Sequence, residues 1–252
     1  MAYWTAVALG ALFATALCVA ARTRPGPWAA RAARAIGGVL AADAVSYVLD
    51  EVARGAWSAR TSLPLALCNA AVVVAAVACW WRRPLLVELT YFWGVAGTLQ
   101  GLATPDLSAR FPHLVFFEYV VGHLGVVTAA LFLVLGMRIT PRAGAVSRVT
   151  AVTAGYTALV GLVDGLTGAN YMFLSKPPGE WTLLRLLGPW PWYVPAAAVV
   201  ACALFVLLDL PFRAGRRRVA GDPRGARPPG RRRVARLHAT IGGVPRRARR
   251  PT

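Results

Sequence analysis

Charge is what this 252-residue chain lacks most: Asp, Glu, Lys and Arg make up 15% of it, against about a quarter of a soluble domain. With 57% hydrophobic residues and repeated apolar runs near the ~20 residues a bilayer crossing needs, a soluble fold is excluded. Cysteine is sparse and unpatterned. Cys18, Cys68, Cys79 and Cys202 lie in or at the ends of apolar segments without CxxC spacing, which argues against a zinc site, a dithiol redox motif and a secreted disulfide framework. They read as free thiols, and the sequence implies no metal and no cofactor. No Lys or Arg precedes the first apolar run and Leu17 stands before Cys18, so neither a cleavable signal peptide nor a lipoprotein cysteine is expected.

What the chain does have is seven apolar segments, at 3–21, 33–53, 63–80, 84–103, 114–137, 149–168 and 191–212. Each is about long enough to span a bilayer with some tilt. The expectation is an all-α polytopic membrane helix bundle of about seven transmembrane helices over residues 1–212. The second segment is the weakest, with Asp43 in its middle and Asp50 and Glu51 at its end. The connection 169–190 carries Pro177, Pro178, Gly179 and Pro189 and reads as irregular. Residues 213–252 hold 14 of the 28 basic residues and one acid, Asp222. Such a segment cannot bury enough apolar area to fold. It is expected to be a disordered Arg-rich tail drawn to anionic lipid by about 1 kcal/mol per base, and nucleic acid is not an expected partner because no aromatic interleaving accompanies the charge.

Basic residues also set an orientation. Arg22, Arg24, Arg31, Arg34, Arg82, Arg83, Arg138, Arg142 and Arg148 fall on one side of a seven-span chain, and Arg54, Arg60, Arg110, Lys176 and Arg185 on the other. The positive-inside rule then puts the tail in the cytoplasm and the N-terminus outside, in a multi-pass protein of the cell membrane.

Polar residues collect on the outer half. The fifth segment follows FPHLVFFEYVVGHLGVV and carries Glu118 and His123; a charged group at a helix centre in lipid costs roughly 2.5 kcal/mol or more, so such residues face a bundle interior or watery cavity. Counting at the helical rise puts Cys68 about 7–8 Å and His123 about 13–14 Å below the same surface. Gln100, Thr104, Asp106, His113, Asp164 and Asn170 end or join segments on that side. A cysteine and a histidine at similar depth suit a nucleophile–base pair; each alone reads equally as packing residue or interhelical hydrogen-bonder. Asp43 either orients the histidine or pairs with Tyr47, the second being favoured. Glu88 is expected to pair with Arg82 and Arg83. Tyr91, Phe92, Trp93, Trp190, Trp192 and Tyr193 read as an interfacial belt, Gly94 and Gly97 as points of close helix approach, and Thr104–Leu107 as a turn.

Taken together, LPLALCN (63–69), ELTYFWGVAGTLQGLATPDL (88–107), FPHLVFFEYVVGHLGVV (111–127), GANYMFLSKP (168–177) and LGPWPWY (187–193) resemble the YwaF-type bacterial integral membrane proteins, a group related to the eukaryotic transmembrane protein 164 acyltransferase. The resemblance spans roughly 60–212. It implies phospholipid acyl-chain remodelling, with membrane phospholipid and lysophospholipid as partners, Cys68 as nucleophile and His123 as base. Asn69 and Gln100 are then candidate oxyanion donors, and Glu118, Asp164 and Asn170 candidate supporting residues. The group's cysteine motif often reads LPLHLCD; Ala66 and Asn69 stand here in place of its His and Asp. The rival expectation is a transporter or a lipid- or solute-binding protein using the same outer cavity without covalent chemistry; a scaffold is the third.

Overall fold

The structure, a computed structural model, describes residues 2–105, 111–177 and 186–220, with side chains to 216. The described residues are helical without any strand: α1 (Ala2–Thr23), α2 (Pro27–Ala53), α3 (Leu67–Trp81), α4 (Pro84–Phe92), a π-helical stretch (Trp93–Thr98), α5 (Leu99–Ala103), α6 (Leu114–Leu131), a second π-helical stretch (Phe132–Gly136), α7 (Ala145–Thr167) and α8 (Tyr193–Ala220). Among the described residues five helices are long and apolar enough to cross a membrane: α1, α2, Leu114–Gly136, α7 and Tyr193–Arg216. The chain is a multi-pass helical membrane protein.

The other two of the seven expected segments are built differently. α3 has 15 residues, a rise of about 22 Å. It starts four residues later than expected: Pro64 disfavours helix in the residue before it, and the chain then turns through a Leu65 N–H to Leu63 carbonyl bond of 2.8 Å before Leu67. The fourth segment is three helical pieces in succession, the π turn separating α4 from α5. α2 starts earlier than expected, with Pro27 in its first turn, where a missing N–H costs nothing; Arg31 and Arg34 therefore lie on this helix.

The core sits where α2, α3, α4, α6 and α8 meet. α3 buries Ala71, Ala75, Ala78 and Cys79, and α2 buries Ala29, Ala33, Gly37 and Leu40. Small residues at three- and four-residue spacing let two backbones close on each other, which is how helices associate where lipid is as apolar as the core. Gly94 serves the same end: a Cβ there would lie 3.2 Å from both Ala130 Cβ and Val126 Cγ1. Gly97 makes only ordinary contact.

Three local expectations are corrected. Glu88, 1% exposed, does not pair with its sequence neighbours Arg82 and Arg83. It accepts hydrogen bonds from the Arg142 backbone N–H and Nε, both at 3.0 Å, and from Arg148 Nη2 at 2.8 Å. Tertiary packing thus brings it two guanidiniums from beyond α6. Tyr91, Phe92, Trp93 and Tyr193 are core residues rather than belt residues, whereas Trp190 and Trp192 are exposed. Arg213–Ala220 is helical where a disordered tail was expected to begin; arginine is a good helix former, and extending a helix costs no new nucleus. The bundle forms one compact unit, Met1–Phe212. The remaining tail (221–252), Asp106 and Leu107 of the expected turn, Arg110, and Pro178, Gly179 and Arg185 lie outside the described residues.

Candidate functional site

α3 begins with an apolar residue at its N-cap, Ala66, which supplies no side-chain cap. The first-turn N–H groups of a helix have no intrahelical acceptor. Cys68 and Asn69 are the second and third residues of this turn, so the thiol stands at the positive end of the helix dipole, which favours negative charge. Cys68 is partly buried and unpaired, as are Cys18 and Cys202, while Cys79 is buried.

The segment entering α3 is held from outside. Tyr171 accepts the Leu63 N–H at 2.9 Å and donates to the Ala59 carbonyl at 2.8 Å. Tyr156 donates to the Leu65 carbonyl at 2.9 Å. Ser62, fully buried, donates to Glu51 Oε2 at 2.6 Å.

His123 lies on α6. Its Nδ1 is 2.8 Å from the Tyr119 carbonyl one turn back. A carbonyl can only accept, so Nδ1 carries the proton and Nε2 of the neutral ring keeps its lone pair. The Tyr119 ring stacks on the imidazole at 4.0 Å between centroids and 21° between planes. The tyrosine hydroxyl donates to the Gly101 carbonyl of α5 at 2.6 Å, and Tyr3 on α1 donates to the next carbonyl, Leu102, at 2.8 Å. The α5 turn is thereby fixed over the ring edge. A Cβ on Gly101 would lie 2.9 Å from His123 Cδ2 and 3.0 Å from Nε2, so only glycine leaves the imidazole where it is.

Cys68, Asn69, Glu118 and His123 line one cavity of about 630 Å³ between α2, α3 and α6. Four sites of the sequence reading thus meet. Gln100 does not line this cavity and is exposed. Asp164 and Asn170 line a different cavity of about 690 Å³, with Arg60 and Lys176 at its edge. There Asp164 Oδ1 accepts the Tyr171 N–H at 3.1 Å, and its Oδ2 is buried without a partner. Asn170 closes its loop by accepting from the Ser175 N–H at 3.0 Å and donating to the Lys176 carbonyl at 2.9 Å.

Sequence reasoning undervalued the α2 wall. Asp43, Tyr47, Glu51 and Arg54 all line the first cavity, and no hydrogen bond joins Asp43 to Tyr47 among the described residues. Asp43 instead faces α6, where a Cβ on Gly122 would meet its Oδ2 at 2.8 Å. Three residues along, Ser46 donates to Glu118 Oε1 at 2.5 Å. The signal was present: Asp43, Tyr47 and Glu51 recur every four residues and so share a helix face. The cavity rim is apolar, with Val45, Leu49 and Val73 at 56%, 62% and 44% exposure.

A model described as the TMEM164 family matches residues 1–209. An uncharacterized protein of Treponema pallidum (strain Nichols) is 30% identical over 159 residues, 61% of this chain and 63% of the relative. The chain thus spans somewhat less than two thirds of that relative's length. No solved structure matches.

Proposed function

The chain belongs to the TMEM164 family, and from that premise we propose that it is an integral membrane acyltransferase that remodels phospholipid acyl chains through Cys68 and His123. The observation that carries this reading is that a thiol on an uncapped helix N-terminus and an imidazole with its Nε2 lone pair free line the same cavity. The apolar rim favours a lipid over a water-soluble ligand, since exposed Val45, Leu49 and Val73 suit acyl chains. The YwaF-type subgroup belongs to this proposal as well.

In the first half-reaction His123 Nε2 takes the Cys68 proton, and the thiolate attacks the carbonyl carbon of a phospholipid ester. The tetrahedral oxyanion is stabilised by first-turn N–H groups of α3, with the Asn69 amide beside them. The ester C–O bond breaks, the leaving lysophospholipid oxygen takes the proton from His123, and an acyl thioester remains on Cys68. In the second half-reaction an incoming lysophospholipid hydroxyl gives its proton to His123 and attacks the thioester. The C–S bond breaks and the thiolate is reprotonated. Asp43 of the α2 wall and Glu118 of α6 complete the polar end of the cavity.

The orientation belongs to the same proposal: cell membrane, N-terminus outside, the basic tail at the cytoplasmic leaflet on anionic lipid, and the bundle 1–212 as the working unit. One observation favours a transporter or binding protein. Asp43, Glu51 and Glu118 share the first cavity, and carboxylates set among membrane-spanning helices serve ion and solute pathways.

The deciding experiment uses purified protein in liposomes with a labelled phospholipid and an unlabelled lysophospholipid, acyl exchange being followed by mass spectrometry. Exchange by wild type, lost in both Cys68→Ala and His123→Ala, is the expected result. Exchange that survives Cys68→Ala overturns the thioester route. No exchange with any lipid pair shifts the assignment to binding or transport.

A further inference from the structure

Between α2 and α3 the chain runs through 13 residues, 54–66, without a helix. Its last part leads directly into Cys68, and the N-cap Ala66 has no side-chain hydrogen bond to fix the start of α3. Its first part is held locally, through Ser58 and the Ser62–Glu51 bond, and the part nearest α3 is also held from far along the sequence. The Tyr171 hydroxyl bridges two of its backbone groups, accepting from Leu63 N–H at 2.9 Å and donating to Ala59 O at 2.8 Å. The Tyr156 hydroxyl donates to Leu65 O at 2.9 Å. Three backbone groups of the approach to the thiol are thus held by two phenols on or just after α7.

Tyr171 is itself placed by a second tier. Its own N–H is held by Asp164 Oδ1 at 3.1 Å. Its loop is tied down from the chain entering α8, where Trp190 Nε1 donates to Leu174 O at 3.0 Å and the Tyr193 hydroxyl donates to Phe173 O. Asp164 is 4% exposed and Tyr193 2%, so these anchors are embedded in the bundle. Hydrogen bonds to a non-repetitive backbone segment satisfy groups that no helix satisfies, and in doing so they fix where the next helix begins.

We propose that Tyr171 and Tyr156 are positioning residues for the Cys68 thiol, Tyr156 from within α7 and Tyr171 with Asp164 and the 168–177 loop as its mount. This rests on the acyltransferase reading for its catalytic consequence but not for the placement of the thiol, and the two are separable by experiment. Losing these bonds frees the start of α3 to shift, and a misplacement near 1 Å costs on the order of a hundredfold in rate.

The test uses the full-length protein in liposomes, with Cys18, Cys79 and Cys202 changed to Ser so that maleimide labelling reports on Cys68 alone. Tyr171→Phe and Tyr156→Phe are compared with Tyr91→Phe, a hydroxyl deletion on the α4–α8 contact, where Tyr91 reaches Leu208 O at 3.4 Å. The expected result has two parts. Wild type loses labelling rate on His123→Ala, whereas in the Tyr171 and Tyr156 variants the same change has less than a twofold effect, because the start of α3 no longer holds the thiol at a fixed place in the cavity it shares with the imidazole. Acyl exchange by these variants falls roughly tenfold or more in kcat, with KM within twofold, and Tyr91→Phe changes neither. If Tyr171→Phe does not fold, Tyr156→Phe, which loses a single bond, decides alone. Unchanged His123 dependence of labelling in the folded variants overturns the proposal. Absence of exchange in wild type with the labelling pattern as expected sinks the enzyme reading and leaves the positioning role standing.

Discussion

Gly37 and Gly38 are adjacent on α2 and have opposite surroundings, which makes them a test of what holds α2 against α3. A Cβ on Gly37 would lie 2.7 Å from Trp80 Cδ1, 2.9 Å from Cys79 Cβ and 2.9 Å from the Ala76 carbonyl oxygen; at Gly38 nothing lies within 4 Å. Both substitutions to alanine gain about 0.8–1.0 kcal/mol of helix propensity. Gly37→Ala also pushes a methyl against a backbone oxygen that cannot rotate away. Relief to ordinary contact needs a shift of about half an ångström between two helices, and overpacking of this kind costs about 1–3 kcal/mol. The gap between the two variants is therefore about 1–3 kcal/mol, Gly38→Ala being the more stable. For a chain of this size about 1 kcal/mol moves the midpoint by roughly 2–4 °C. Thermal unfolding in detergent, followed by tryptophan fluorescence, measures it. Equal midpoints for the two variants would refute the close α2–α3 contact. Because α2 carries Asp43, Tyr47 and Glu51 into the first cavity, Gly37→Ala should also slow acyl exchange more than Gly38→Ala does.

Three further outcomes are expected. Gly101→Ala, which sets a methyl 3.0 Å from His123 Nε2, should cut exchange about tenfold; Gly97→Ala, with its nearest contact at 3.6 Å, should leave it within twofold, and equal rates would discount the seat of the imidazole. Glu88→Gln should lower the thermal midpoint more than Glu51→Gln, because Glu88 is 1% exposed and its removal leaves the Arg142 and Arg148 contacts without their charge; a reversed order of midpoints would count against the buried clasp. Asp164→Asn keeps an acceptor for the Tyr171 N–H and removes a carboxylate whose Oδ2 is buried without a partner. Its midpoint should match or exceed that of wild type, within about 1 kcal/mol, and a large loss would show that the charge itself is needed.

Much of the fold was legible because it rests on local quantities. Apolar run length and the scarcity of charge identify spanning helices whatever the helices touch, and α1, Leu114–Gly136 and α7 lie close to where the hydropathy put them. Pro64 marked the late start of α3, though the apolar run around it masked the break. Part of the candidate site was legible as well. Cys68 in the first turn of α3 and His123 midway along α6 line one cavity, and counting residues along each helix had already set them on the same half of the bundle.

Azimuth around a helix is a different matter. In water, the apolar stripe of a helix marks its packed face. In a bilayer the outward face is as apolar as the inward one, so the pattern along α4 does not say that Tyr91, Phe92 and Trp93 turn inward. That is why they were read as belt residues. The same blindness hid that Asp43 faces the cavity, that Glu88 meets Arg142 and Arg148 rather than its neighbours, and that Asp164 and Asn170 belong to a second cavity. By itself the sequence determined the class of the protein, the approximate extent of most spans and which polar groups they carry, because those follow from composition and from transfer free energies that each segment carries alone. Which of those groups share a cavity was decided only by the tertiary structure, because rotation about each helix axis is set by contacts between side chains distant in sequence.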